Sequence, residues 1–410
     1  MSKIKIGDAY PAPILSDFLI FLDYIETHRV KLTKTEHLQR KDLTAIYARL
    51  QNPTPELTAN ANQDDAPALL LCYQLAGEMD LVHGMTIGSS RYAVIQKKRA
   101  DQFREKSPEE QYILLLKAFW INVDWRDLQG RNQSRIPQSI ELLCTELKLF
   151  PAGQKIIVSN HGRIENPLMK FGFFLYYFSY FGFWSFEIEQ GISDKSVYAS
   201  IITLTPLYKK LENVLRETWE PEEDMTFDFG LPAALFADFP KSIRGKENNK
   251  DHSENQFVNL ISPIFEGKID LVLSSVQVKD ADHAGFLFKV ELRPSCWRKI
   301  QISGSKTLLD LHHLIQRAFE FDNDHLYGFF MDGKPYGRKG IYAPGDDHGP
   351  YVDKVKIGDL NLYEGKSFMY LFDYGDEWLF SVDVLKIVPG EACPSMICGS
   401  KGTAPEQYGW

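Results

Sequence analysis

Cys296-Trp297-Arg298-Lys299-Ile300, Leu311-His312-His313-Leu314-Ile315-Gln316, His325-Leu326-Tyr327 and Asp373-Tyr374-Gly375-Asp376-Glu377-Trp378 follow one another in the last third of a 410-residue chain. Around them the hydrophobic period changes in a set order. Phe286 to Leu292 and Arg298 to Ile302 read as paired strands about Pro294. Thr307 with Asp310 three residues on is a capping-box-like helix start, and Leu308, Leu311, Ile315 and Phe319 supply that helix with a buried stripe. Strands are expected at Leu326 to Met331, around Lys354 to Ile357, at Met369 to Phe372 and at Leu379 to Val388. A hairpin, a helix across it and further strands predict an α+β sandwich, β-grasp-like in its opening order.

Over about residues 284–410 these motifs resemble the Ri-plasmid ORF-three family, small α+β domains often carried on plasmids and mobile elements. The matching residues are Trp297, Arg298, Leu311, His312, Gln316, His325, Tyr336, Gly337, Asp373, Gly375, Asp376 and Trp378, and Pro394, Gly399, Pro405 and Glu406 fit the family's Pro- and Gly-rich end. The resemblance implies an architecture; the family brings no settled activity. Relatives commonly continue beyond the position at which this chain stops, Trp410.

Upstream, Leu15, Phe18, Leu19, Leu22 and Ile25 form one helical stripe, and Leu43, Ile46, Tyr47 and Leu50 a second, closed by Asn52-Pro53-Thr54-Pro55. A third helix is expected from Pro67 through Leu75, and Leu81-Val82 and Tyr92 to Ile95 read as a two-stranded hairpin. Three helices and a hairpin are the order of a winged helix. The order recurs: Ser107-Pro108-Glu109-Glu110 opens a helix, Ile140 to Leu147 forms another, and strands at Phe183 to Ile188 and Tyr198 to Leu204 precede a helix capped by Thr205-Pro206. The first half is thus expected to be mainly helical and tandem winged-helix-like, over 1–105 and 106–218. An acidic and polar connector over 219–283 then leads to the α+β domain 284–410. Within the connector, Ile269 to Val278 reads as a strand.

Net charge is −9, but its distribution says more. Lys plus Arg against Asp plus Glu count 13 to 13 over 1–105, 13 to 12 over 106–218, 4 to 9 over 219–254 and 14 to 17 over 284–410. That balance lacks the basic character of a dedicated nucleic-acid binder and leaves room only for local basic faces. The longest uncharged run, Phe171 to Phe186, has 16 residues, short of the roughly 20 that span a bilayer. Lys3 and Lys5 are followed by Gly7, Asp8 and Pro11 rather than an apolar leader. Five scattered cysteines suggest no disulfide framework, and a cytoplasmic setting without membrane contact is expected.

Candidate chemistry is sparse. Asp373, Asp376 and Glu377 suit either a divalent-metal or acid/base site, or a turn about Gly375 whose backbone amides the acids cap. His312 and His325 are candidate ligands beside Asp322 and Asp324, although His312 and His313 diverge by about 100° on a helix and do not readily share one site. Cys393 and Cys398 lack the second pair that structural zinc requires. Nucleic-acid phosphates would meet Lys31, Lys34, Arg40 and Lys41 near the second helix and Lys97, Lys98 and Arg99 after the first wing. The third helix, however, is apolar and offers a groove no Arg, Lys or Asn. Phe171 to Phe186, with 11 aromatic residues of 16, suits a core, a protein partner or self-association. These features leave three readings: a nucleic-acid-binding protein, an interaction scaffold, and a metal-dependent enzyme at Asp373, Asp376 and Glu377.

Overall fold

A computed structural model describes the chain apart from residues 1–2, 34, 53–54, 59, 88–89, 131–139, 189–197, 220–249, 274–279, 338, 391–392 and 409–410. In chain order the first elements are α1 (Ile14–Thr27), β1 (Val30–Lys31), α2 (Arg40–Tyr47), α3 (Pro67–Glu78), β2 (Val82–Ile87), β3 (Ser90–Ile95), α4 (Lys97–Glu105) and α5 (Pro108–Lys117). Next come α6 (Ile140–Leu147), β4 (Lys155–Ile157), α7 (Gly162–Leu168), α8 (Phe174–Tyr180), β5 (Trp184–Ile188), β6 (Ala199–Leu204), α9 (Pro206–Glu217) and α10 (Lys250–Ile261). The last are β7 (Gly285–Arg293), β8 (Cys296–Ser303), α11 (Leu308–Phe319), β9 (Tyr327–Phe330), β10 (Gly340–Tyr342), β11 (Ser367–Phe372), β12 (Trp378–Val388) and β13 (Met396–Lys401).

These elements gather into two compact units that do not follow chain order. One comprises residues 1–24, 40–79 and 103–272; the other comprises 25–39, 80–102 and 273–410. The fold is mixed, with helices dominating the first unit and antiparallel sheet the second.

The first unit grows from helices with strong start signals. Ser107 accepts from the Glu110 amide while the Glu110 side chain accepts from the Ser107 amide, and Pro108 takes the first helical position. Below α5 the chain widens into a π turn over Ala118–Asn122, which carries Phe119 and Trp120 inward. Phe119 stacks on Phe181 at 4.8 Å and on Trp125 at 5.2 Å. The polar ends of this aromatic core reach backbone carbonyls: Tyr112 donates to Phe181, Tyr177 to Leu128 and Trp184 to Leu175. Phe171, Phe174, Tyr177, Phe178, Phe181 and Trp184 are all buried. Most of the dense aromatic run is therefore core, with Phe173 and Phe186 partly exposed. The same unit holds a three-stranded sheet in order β4-β6-β5, whose Trp184, Ile202 and Leu204 are buried.

The second unit holds a three-stranded sheet in order β1-β3-β2 and a seven-stranded antiparallel sheet in order β10-β9-β11-β12-β7-β8-β13. Phe286, Phe288 and Val290 alternate inward on β7, and Leu308, Leu311, Ile315 and Phe319 on α11 meet them in one apolar core. Thr307 and Asp310 form the expected reciprocal cap of α11. Arg298 is buried on β8, where Nε donates to Ala318 and Nη1 to Trp297, Lys401 and Gly402 carbonyls.

Two expectations are corrected. Lys354 to Ile357 is no strand: only Lys356 bridges Thr307, and a 3-10 turn follows at Ile357–Leu360. Residues 269–273 form no strand either, and 274–279 lie outside the described residues. Between α1 and α2 lies β1, which pairs with β3 through Val30–Ala93 and Lys31–Tyr92. Two residues are too few to show a period. Among the described residues no helix is long and apolar enough to cross a membrane.

Phe319 is fully buried against Phe380 at 4.8 Å and lies under the Arg298 guanidinium. Phe319→Ala is expected to cost about 3–5 kcal/mol of unfolding free energy in urea, with a loss under about 1 kcal/mol contradicting this core assignment.

Candidate functional site

The acidic motif sits on the tight connection between β11 and β12. Asp373 and Glu377 adopt left-handed backbone conformations, φ 59° and 50°, and the Glu377 amide donates to the Asp373 carbonyl. Asp373 Oδ1 accepts from the Gly375 amide at 2.9 Å and the Asp376 amide at 3.4 Å. Its other oxygen lies 3.5 Å from His325 Nε2. Glu377 turns away and accepts from the Tyr336 hydroxyl at 3.0 Å. Asp373 thus ties the turn together, and among the described residues no group of three or more His, Cys, Asp or Glu is placed to hold a metal ion.

His312 and His325 do not converge. His312 is fully buried and stacks face to face on Tyr327, centroids 3.6 Å apart. Its Nε2 lies 2.8 Å from Asn323 Oδ1 and its Nδ1 2.8 Å from the Tyr370 hydroxyl. Burial drives its pKa down to about 3, against the opposing hydrogen bond of Asn323. A neutral imidazole with both nitrogens engaged is a core residue. His313, one position on, points instead into an open groove with Lys306, Asp310 and Arg317.

A cluster of tyrosines and carboxylates gathers beside the acidic turn. Tyr336 is half exposed, holds φ 58° and meets Tyr374 and Phe330 edge-on, each at 6.0 Å. The Tyr374 hydroxyl donates to Asp346 at 3.1 Å, and Asp346 also accepts from the His348 amide and lies 2.9 Å from its Nδ1. Burial opposes the Asp346 charge, but these bonds outweigh it and hold its carboxyl below the usual range. Asp346 and His348 belong to the Gly-flanked loop Gly345-Asp346-Asp347-His348-Gly349. What sequence reasoning missed is that Tyr336 and Tyr342 join it, since neither the left-handed Tyr336 nor the short β10 has a local pattern.

The basic candidates divide between the two units. Arg40 and Lys41 are exposed at the start of α2 in the first unit. In the second, Lys31 and Lys98 are exposed, Lys97 pairs with Glu26 and Asp101, and Arg99 donates to the Leu273 carbonyl at 3.1 Å. Lys34 lies outside the described residues. Helix α3, the expected reader, buries Pro67, Leu69, Leu70, Leu71, Cys72 and Leu75; α8 is buried likewise. Cys72, Cys144 and Cys296 are buried and Cys398 is exposed.

A further polar cluster was not foreseen. In the second unit Arg91 pairs with Glu36, lies 3.8 Å from Asp383 and donates to Ser367. Beside it Lys366 lies 3.7 Å from Asp80, to which the Tyr363 hydroxyl also donates. The His83 ring meets Tyr363 edge-on at 5.0 Å. Burial lowers the Lys366 pKa against the pull of Asp80, and burial takes His83 down to about 4 with Arg91 and Lys366 adding to the shift. These residues are scattered over 36–383, so no spacing announces them.

Two outcomes follow. If the Asp373 cluster is a turn and no metal site, added Mg²⁺ or Mn²⁺ leaves the thermal midpoint unchanged, while Asp373→Ala lowers stability by about 1–2 kcal/mol through two lost hydrogen bonds; a metal-dependent rise in midpoint contradicts this. His83 binds its proton more weakly folded, at about 4, than unfolded, near 6.5. Its contribution is therefore complete above 6.5 and is lost as pH falls toward 4, because the unfolded chain takes up the proton first. His83→Gln should flatten the stability profile across that window, and an unaltered acid slope contradicts it.

Residues 285–410 match the family described as plasmid pRiA4b ORF-3-like protein. An uncharacterized protein of Sinorhizobium fredii, y4hQ, is 27% identical over 124 residues, which cover 29% of this chain and 61% of that protein. The chain therefore spans only part of that relative's length. The crystal structure of a protein of unknown function from Methanosarcina mazei, MM3350, is similar at 28% identity and TM-score 0.27, over 30% of this chain and 73% of that one. The similarity to the plasmid pRiA4b ORF-3-like family thus falls on residues 285–410, the part of the chain that carries the seven-stranded sheet and α11.

Proposed function

We propose that this chain is a non-catalytic binding protein of a plasmid or mobile-element setting that recognises a protein partner. Two stretches, α1–β1–α2–α3–β2–β3 and α6–β4–α7–α8–β5–β6, share one element order, and each forms a three-stranded sheet in the order first, third, second. This supports the tandem winged-helix reading of the first half. The observation that carries the function is the burial of α3 and α8, the two helices in the reading position. A winged helix that reads DNA presents that helix to the major groove. Here both are spent on the core, so the segments serve as packing modules. The contact surface is the tyrosine and carboxylate end of the C-terminal sheet, where exposed Tyr336 and Glu377 sit beside Tyr374 and Asp346. Half-exposed tyrosines beside carboxylates favour Lys- and Arg-rich segments through cation–π and charge-assisted contacts.

Nucleic acid remains a second reading, favoured by the exposure of Lys31, Arg40, Lys41 and Lys98, which could serve phosphates without base readout. Fluorescence anisotropy of the full chain with labelled duplexes, single strands and Lys/Arg-rich peptides separates the two. Peptide binding that Tyr336→Ala or Glu377→Gln weakens by about tenfold, about 1.4 kcal/mol, is the expected result. Steeply salt-dependent DNA or RNA binding that those variants leave untouched would overturn it in favour of phosphate contacts.

A further inference from the structure

The hairpin β2–β3 belongs to the same compact unit as the family domain but lies outside the residues that match the family. Its backbone is self-sufficient. β2 pairs with β3 from Val82–Ile95 to Ile87–Ser90, β3 pairs with β1, and the Leu32 amide donates to the Arg91 carbonyl. The seven-stranded sheet is likewise complete through its own ladders. Among the described residues, side chains join hairpin and domain: Arg91 to Asp383 and Ser367, and Asp80 to Lys366 and Tyr363.

Those contacts form two ionic clusters. In one, Arg91 reaches Asp383 on β12 and Ser367 on β11, with Glu36 closing its other side. In the other, Asp80 receives Lys366 and the Tyr363 hydroxyl, and the His83 ring covers Tyr363. The fit is close at two glycines. A Cβ on Gly84 would meet Glu36 Oε2 at 2.5 Å and the Arg91 guanidinium at 3.0 Å, so its absence lets that pair lie over β2. Gly365 holds φ 94°, and a Cβ there would meet His83 Nε2 and Met85 Sδ, each at 3.1 Å. Among the described residues, His83 Nδ1 is buried with no hydrogen-bond partner.

We infer that the hairpin is a releasable arm, clasped onto the Tyr363–Ser367 segment and Asp383 by these ionic clusters and able to open while both sheets stay intact. Opening breaks no ladder bond, and it returns Lys366 and His83 to water. Partly exposed ion pairs each contribute little, and polar contacts of this kind characterise interfaces that part rather than cores. Segments of this kind exchange by local opening well below the global unfolding free energy.

Hydrogen-exchange mass spectrometry on the full chain tests this. Amides of β2 and β3 should exchange at least about tenfold faster than those of β11 and β12, more so at high salt, which screens the clusters. Lys366→Glu should speed exchange in the hairpin selectively, and the exchanged pair Asp80→Lys with Lys366→Glu should slow it again. Exchange of hairpin and β11–β12 at one common rate, or equal acceleration of both by Lys366→Glu, overturns the inference. If Lys366→Glu does not fold, the wild-type rates alone decide.

Discussion

The C-terminal domain depends on one buried guanidinium. Arg298 lies on β8 and spends its donors on the carbonyls of Ala318, Trp297, Lys401 and Gly402, with its face on the Phe319 ring. A buried charge is tolerated only where hydrogen bonds replace its water, and four carbonyls do so here. Ala318 lies in the last turn of α11, whose dipole places partial negative charge at that end. One side chain thereby fixes the end of the helix, the strand beneath it and the turn after β13. The register of the sheet and the tilt of the helix across it follow from that anchor and from the apolar stripe beside it.

Within this frame the polar residues that draw attention in the sequence have structural work. Asp373 closes the β11–β12 turn, and His312 is a stacked, neutral core imidazole between Tyr370 and Asn323. Their occurrence among the family-matching residues reflects the fold first. What remains exposed and chemically distinctive lies beside them, at Tyr336 and Glu377 next to the buried carboxylate of Asp346. Three residues there, Tyr336, Asp373 and Glu377, hold left-handed backbone conformations that cost free energy in non-glycine residues.

The elements with strong local signals were legible in the sequence. Thr307 with Asp310, and Ser107-Pro108 with Glu110, locate α11 and α5 because capping chemistry is written within four residues. The alternation of Phe286, Phe288 and Val290 does the same for β7. Short edge elements were not legible: β1, β4 and β10 are two or three residues long and exist through pairing with distant strands. The aromatic run 171–186 was ambiguous between core and surface because it has no polar face to orient it. The ionic clasp was invisible for a different reason. Glu36, Asp80, Arg91, Lys366 and Asp383 meet only through tertiary folding, and each alone reads as an ordinary surface charge.

The account turns on helices α3 and α8 being core rather than readers. The direct measurement is their amide exchange in the full chain, alone and with excess duplex DNA. Exchange of Leu69–Ala76 and Phe174–Tyr180 among the slowest in their unit, unchanged by DNA, is the predicted result. Rapid exchange of either helix that slows when DNA is added would contradict it and return these segments to the role of nucleic-acid readers.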